Sequence, residues 1–231
     1  MIHNRAIDAE KISQSSYPFR RYKIKTAPKR DRDMDIEDLQ KLRDADLKLK
    51  SHKRARDLFM LSFYLCGINF KDLLHAQKAD IKQGRLILDR KKTGQPLSIM
   101  IQPEAQAIIE RYPGKKFLLS TLEDKLKATN QNRKYILYKD VTDQANIKLK
   151  EIAENLDIPH RLTTYYARHT WSSIAFNECG VSEEIIGLAL GHVSQRQVTA
   201  GYIRKKYELV DQANEAVIAA LNEAVHSLDP Q

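Results

Sequence analysis

Thr163-Thr164-Tyr165-Tyr166-Ala167-Arg168-His169-Thr170-Trp171 is followed by Leu190-Gly191-His192, and Tyr202 lies ten residues beyond that histidine. Helical spacing puts Ala167, Trp171, Ile174 and Ala175 on one apolar stripe, which predicts a helix over 163–178 with Gly180 near its end. Arg168 lies one step round from that stripe, with Tyr165 three residues before it and Ser172 four after it on the same face. An arginine at the edge of a core needs an anionic partner, because a half-buried guanidinium must be paired. That partner is either an internal carboxylate or an anion brought from outside. His192, after a glycine at a helix end, and Tyr202, one of ten tyrosines, say little singly.

Outward from this stretch the pattern is mainly helical. Asp35, with Glu37 and Asp38 behind it, opens a helix reaching about Leu47, since acids suit a first turn. A helix over about 55–66 is apolar nearly all round and therefore central. Gly67 breaks it, and a short helical turn follows to Leu74. Arg85–Asp89 and Leu97–Ile101 flank Lys92-Thr93-Gly94-Gln95-Pro96 and predict a β-hairpin. Helices are further predicted from Pro103 to Tyr112, over 134–156, from Ser182 to Gly191, and over 208–227. The fold class is mainly α with a small β-hairpin or sheet (α+β). Residues 1–34, with Arg20, Arg21, Lys23, Lys25, Lys29, Arg30 and Arg32 interrupted by Pro18 and Pro28, read as the end of an earlier helix and a basic linker. Residues 35–207 form the main domain and 208–231 a C-terminal helix and tail.

The chain has 231 residues with 39 Lys and Arg against 30 Asp and Glu, a formal net charge of +9. From Glu208 onward there are five acids and no Lys or Arg, so residues 1–207 hold all 39 basic residues against 25 acids, a net +14. A basic body with a pI near 9.4 favours a polyanionic partner, nucleic acid rather than membrane. The apolar run over 58–68 is about half of what a membrane span needs, and no signal peptide precedes it. Cys66 and Cys179 support neither a disulfide framework nor a four-cysteine zinc site, and read as buried thiols in a reducing cytoplasm. Phosphate-binding glycine loops, GxSxG and HExxH are missing, and the histidines are too scattered for a metal site.

In order and spacing, Arg168-His169-Thr170, Leu190-Gly191-His192 and Tyr202 resemble the C-terminal motifs of the tyrosine recombinase (phage integrase) family. Tyr64-Leu65-Cys66-Gly67-Ile68-Asn69-Phe70-Lys71-Asp72-Leu73 is similar to its first motif, and Arg90-Lys91-Lys92-Thr93 to its lysine-bearing β-turn. The resemblance covers about 35–210. Residues 1–34 are similar to the last helix of the family's core-binding domain plus its linker, as expected for a piece of a longer protein.

The resemblance implies the family's catalytic-domain fold and DNA strand exchange. The Tyr202 hydroxyl would attack a phosphodiester, leaving a 3′-phosphotyrosyl link and a free 5′-hydroxyl, with neither ATP nor metal required. The residue types suit that chemistry. A phenol is roughly 0.1% ionised at neutral pH, so cations must stabilise its developing anion and the charge on phosphorus. Arg168 offers a bidentate fork, His192 a further donor, and Lys92 at the hairpin tip a proton for the leaving oxygen, with Lys91 its near competitor. Two positions depart from the family's pattern. Asn69 stands where the first motif carries an arginine, although Asp72 keeps the acidic position three residues later. Tyr165 stands where a histidine precedes the second arginine, and a phenol still donates. Losing one such donor costs about 2.7–4 kcal/mol, so either the chain is silent or another cation substitutes, for which Lys71 and Arg196 are candidates. The implied partners are double-stranded DNA and further copies of the chain, as a tetramer on DNA. Val210, Ala213, Val217, Ala220 and Ala224 form a stripe on the last helix that docks either on its own domain or, as the resemblance implies, on a neighbouring protomer. A silent DNA-binding regulator of the same fold and a type IB topoisomerase are the competing readings.

Overall fold

The computed structural model describes residues 2–13, 15, 32–121, 131–192 and 207–223, except for the side chains of 2–4 and 131–137. The chain divides into two compact units, Met1–Asp31 and Arg32–Gln231. In the first, α1 spans Ile2–Asp8. The second carries the rest.

Its first helix, α2 (Ile36–Asp44), starts where Asp35 accepts the backbone N–H of Asp38 at 2.8 Å. It ends three residues before the expected Leu47. The Arg56 guanidinium donates to the carbonyls of Arg43 and Ala45 at 2.7 and 3.3 Å, so a side chain terminates the helix there. Helix α3 (Lys50–Tyr64) begins five residues earlier than its apolar run suggests, because its first turn is polar. Phe59, Leu61 and Phe63 are fully enclosed, and α3 packs against α2 and the later helices α5 (Pro103–Arg111), α6 (Gln131–Asn155) and α7 (Tyr166–Asn177), the central position its all-round apolarity predicts.

Cys66 and Gly67 then turn the chain at φ 55° and 62°. Asn69 caps α4 (Phe70–His75), its side chain accepting the N–H of Lys71 at 3.0 Å. The sheet that follows has three antiparallel strands rather than two, in the order β1 (Ile81–Lys82), β2 (Arg85–Asp89), β3 (Pro96–Met100). The two-residue β1 is too short to show a period. Register pairs Leu86 with Ile99 and Asp89 with Pro96. Leu86, Leu97 and Ile99 face the core.

Helix α5 (Pro103–Arg111) has proline in its first turn, and α6 spans Gln131–Asn155. Helix α7 (Tyr166–Asn177) begins three residues later than expected, so Thr163, Thr164 and Tyr165 approach it in a turn. Its stripe of Ala167, Trp171, Ile174 and Ala175 is buried as the spacing predicts. Ser182 caps α8 (Glu183–Ala189) through the Ile185 N–H. Helix α9 (Tyr207–Glu223) closes the described chain.

Helix α9 lies on its own domain. Val210, Ala213, Val217, Ile218 and Leu221 are buried. Asn214, 1% exposed, accepts from Trp171 Nε1 and donates to the Tyr64 carbonyl, each at 2.8 Å. Asp211 pairs with Arg85 at 2.6 Å, and Gln40 donates to the Leu221 carbonyl at 2.7 Å. Three of the five stripe residues, Val210, Ala213 and Val217, are thus occupied within the chain, and Ala220 packs beside them partly buried; Ala224 lies outside the described residues. No helix among the described residues is long and apolar enough to cross a membrane. Cys66 is enclosed, whereas Cys179 is only half-buried.

Candidate active site

Three turns distant in sequence meet around Arg168. The first is the break after α3. A Cβ on Gly67 would lie 2.7 Å from Arg168 Cα, so only glycine lets α7 approach this closely. The second is the end of α8, where Gly191 takes φ 61° and the N–H groups of His192 and Gly191 return to the carbonyls of Gly187 and Leu188 at 2.9 and 3.0 Å. This is a Schellman cap. The third is the β2–β3 loop, closed by Arg90 N–H to the Gln95 carbonyl and Gly94 N–H to the Arg90 carbonyl.

Arg168, 6% exposed, donates through Nη1 to the Gly67 carbonyl at 3.0 Å and through Nη2 to the Leu190 carbonyl at 2.8 Å. Nη2 also donates to His192 Nε2 at 3.1 Å. Its hydrogen bonds among the described residues go to neutral groups; none goes to the internal carboxylate considered from sequence. Burial first, and then the charge of Arg90, push its pKa down to about 10. It stays cationic at neutral pH, fixed in direction and short of counter-charge. Although His192 is exposed as a whole residue, partial desolvation of its ring, followed by the charges of Arg168 and Arg90, lowers its pKa. It is therefore neutral near pH 7, with Nε2 accepting from Arg168.

Asp72, 3% exposed on α4, accepts the Lys91 N–H at 3.0 Å and faces Arg90 Nε at 3.4 Å. The acid of the first motif thereby holds the hairpin loop in place. Lys91 and Lys92 are both exposed on that loop. Arg90, which sequence reasoning passed over, is buried to 7% exposure and donates through Nη1 to the Gly191 carbonyl at 3.1 Å. A Cβ on Gly191 would strike Arg90 Cδ at 2.4 Å. The signal was present: two-residue alternation from the buried Leu86 through Leu88 puts Arg90 on the inward face.

Asn69, Lys71, Tyr165 and Arg168 line one open cavity of about 160 Å³. Asn69 Oδ1 is engaged in capping α4, which leaves its amide N–H groups to donate. Tyr165 is 43% exposed and meets His169 edge to face at 4.6 Å. Lys71 is exposed. The geometry thus brings together Arg168, His192, Asp72, Asn69, Lys71 and Tyr165, with Lys92 on the adjoining loop. Tyr202 and Arg196 lie outside the described residues. Among the described residues no cluster of three or more His, Cys, Asp or Glu is placed to hold a metal.

A fixed, under-neutralised guanidinium beside an imidazole and a lysine-bearing loop is a set of groups for an oxyanion. Residues 32–208 match the family model described as Phage integrase family, and the chain belongs to that family of tyrosine recombinases. Among solved structures it is similar to a lambda integrase (75–356) dimer bound to a COC′ core site, with TM-score 0.57 and 12% identity over 88% of this chain and 70% of that one. It is likewise similar to a second lambda integrase dimer bound to a COC′ core site, with TM-score 0.56 and 14% identity over 88% of this chain and 58% of that one. At such identity the likeness shows the fold, the helical catalytic domain with a small antiparallel sheet. A comparison with curated protein sequences finds no match.

Proposed function

We propose that this chain is a site-specific DNA recombinase, an integrase of a mobile element, which cuts and rejoins double-stranded DNA through a 3′-phosphotyrosyl intermediate. The observation that carries the reading is Arg168: a buried cation held in direction by two carbonyls, in a chain of the phage integrase family. Such a group gives its attraction to an arriving phosphate rather than to a fixed internal acid.

In this scheme the Tyr202 oxygen attacks phosphorus and the bond from phosphorus to the 5′-oxygen breaks. Lys92 delivers a proton to that oxygen, and the tyrosine proton leaves to solvent or a neighbouring base. Arg168 and His192 hold the non-bridging oxygens, and Tyr165 adds a phenolic donor at the cavity edge. A 5′-hydroxyl of the partner strand reverses the step, so the link itself conserves the phosphodiester energy. The basic body supplies phosphate contacts along the duplex. Action in the cytoplasm as a homo-oligomer, a tetramer on DNA, belongs to the same proposal. With its stripe seated in cis, α9 would link protomers through residues beyond Glu223 or by exchanging whole.

A catalytically silent DNA-binding relative, acting as regulator or accessory, is the second reading. Asn69 favours it, because a neutral helix cap stands where a cation is expected. The deciding experiment incubates the protein with nicked attachment-site duplex and denatures the mixture in detergent. A covalent, protease-sensitive adduct lost in Tyr202→Phe supports the enzyme. Binding without any adduct favours the silent relative.

A further inference from the structure

We propose that Arg90 is a catalytic residue: its guanidinium binds the scissile phosphate beside Arg168 and supplies the charge that Asn69 lacks. The inference rests on the recombinase reading above.

Arg90 and Arg168 hang from consecutive carbonyls of one tight turn, Arg90 from Gly191 and Arg168 from Leu190. The Arg90 charge is the largest electrostatic influence on Arg168 after burial. The one carboxylate bonded to either guanidinium among the described residues is Asp72, and it also serves the Lys91 backbone. Two buried cations against one buried anion leave a surplus positive charge in a low-dielectric place. Such a surplus is costly unless an anion completes it. A phosphodiester bridging two guanidiniums does so with charge-assisted bonds to different oxygens.

The packing around Arg90 is built to keep it there. Gly191 has no Cβ where one would collide with Arg90 Cδ and with Leu97 Cδ2, at 2.4 and 2.9 Å. The loop backbone folds over it through Gln95 and Gly94. The other candidates are placed differently. Lys71 is exposed, a flexible point charge on the surface, and Arg196 lies outside the described residues. A solvated surface arginine would need none of these arrangements.

The test uses the full chain and a negatively supercoiled plasmid, which any cut-and-rejoin cycle relaxes without ATP. Arg90→Gln is expected to slow relaxation and adduct formation about 10²–10³-fold, and Arg90→Lys less. Adding Asn69→Arg to Arg90→Gln is expected to recover at least about tenfold, since one missing charge-assisted contact amounts to that. A merely structural role for Arg90 would not be rescued from a different helix. Relaxation by Arg90→Gln within about threefold of wild type overturns the proposal, as does a stably folded double variant with no recovery. If the wild-type chain makes no adduct and relaxes nothing, the recombinase reading fails instead. Inorganic phosphate binding, followed by phosphorus NMR, then decides on Arg90 alone. Binding weakened at least about tenfold by Arg90→Gln upholds the anion site. Equal binding, or none by wild type, removes it.

Discussion

Gly67 and Arg168 meet backbone to backbone: the space a Cβ would need at residue 67 is taken by Arg168 Cα at 2.7 Å, and the Gly67 carbonyl accepts Arg168 Nη1 at 3.0 Å. Gly67→Ala therefore faces both a left-handed φ and a collision with α7. The two effects cost about 1–2 kcal/mol and about 1–3 kcal/mol. Urea denaturation is expected to show a lower midpoint with an unchanged slope, and adduct formation by the remaining folded protein is expected to fall as Arg168 is displaced. A variant as stable and as active as wild type would show that the close approach is unimportant.

Tyr202 and Tyr207 are to be separated chemically. Tyr207 opens α9, where its hydroxyl donates to the Pro96 carbonyl at 3.3 Å. Burial, with Asp89 adding to it, raises its pKa, which disfavours the phenolate a nucleophile needs. Tyr202→Phe is expected to abolish adducts with DNA affinity nearly unchanged, and Tyr207→Phe to retain them. Adducts that persist in Tyr202→Phe and vanish in Tyr207→Phe would reverse the assignment.

Truncation after Tyr207 removes Val210, Val217 and Leu221 from the core and leaves the Trp171 N–H and Tyr64 carbonyl without Asn214. Each abandoned buried polar group costs about 1–3 kcal/mol. The truncated chain is expected to unfold at lower urea and to lose single-site binding together with synapsis in gel-shift assays. Selective loss of synapsis, with wild-type stability, would show that α9 works on a neighbour.

Asn69 offers two substitutions with opposite consequences. Asn69→Ala loses the cap of α4, worth about 0.5–2 kcal/mol, and is expected to cost less than about tenfold in cleavage, a neutral donor being the weaker kind. Asn69→Asp keeps the cap but puts a carboxylate in the cavity shared with Arg168. Cleavage is expected to fall by more than about tenfold, because an opposite charge so near the guanidinium competes with phosphate. A hundredfold loss in Asn69→Ala would make the amide a principal catalytic group.

Histidines set the acid limit. Burial is the largest cause lowering the pKa of His75, His169 and His192. For His169 and His192 an arginine charge, Arg32 and Arg168 respectively, comes next. The unfolded chain, with histidine near pKa 6.5, then takes up protons before the folded one. Stability is full above about pH 6.5 and falls as pH drops through that value toward the lower folded values. The lowered carboxylates, Asp44, Asp46 and Glu151, titrate below this window. His169 Nε2 is buried without a bonding partner among the described residues. His169→Gln is expected to flatten the decline of Tm between pH 7 and 5. An unchanged slope would remove His169 from the account.

Periodicity made much of this fold legible. The all-apolar α3, the stripe on α7 and the proline-started α5 announce themselves through burial patterns that packing obeys. Helix ends were harder. Arg56 stops α2 from another helix, and the polar first turn of α3 carries no apolar signal. In the site, Arg168 stood out because a charged group at a core edge is locally unusual, whereas His192 became legible only through its order and spacing with Arg168 and Tyr202. Arg90 hid beside two exposed lysines; the alternation from Leu86 through Leu88 turns it inward, and packing under Gly191 is what sets it apart from them. Asn69 read as a lost cation, and its work as a helix cap appears only once α4 is seen to begin there.

The bonds from Arg168 to Gly67 and from Arg90 to Gly191 each join residues 101 positions apart. Neither guanidinium is aimed until both distant closures have formed, and such closures come with the late, non-local part of folding. A nascent or partly opened chain carries the same cations, but scattered and solvated. The strand cleavage proposed above would in this way be interlocked with completion of the domain: a damaged or half-made copy would keep its charge for the duplex, yet have no assembled means of nicking it.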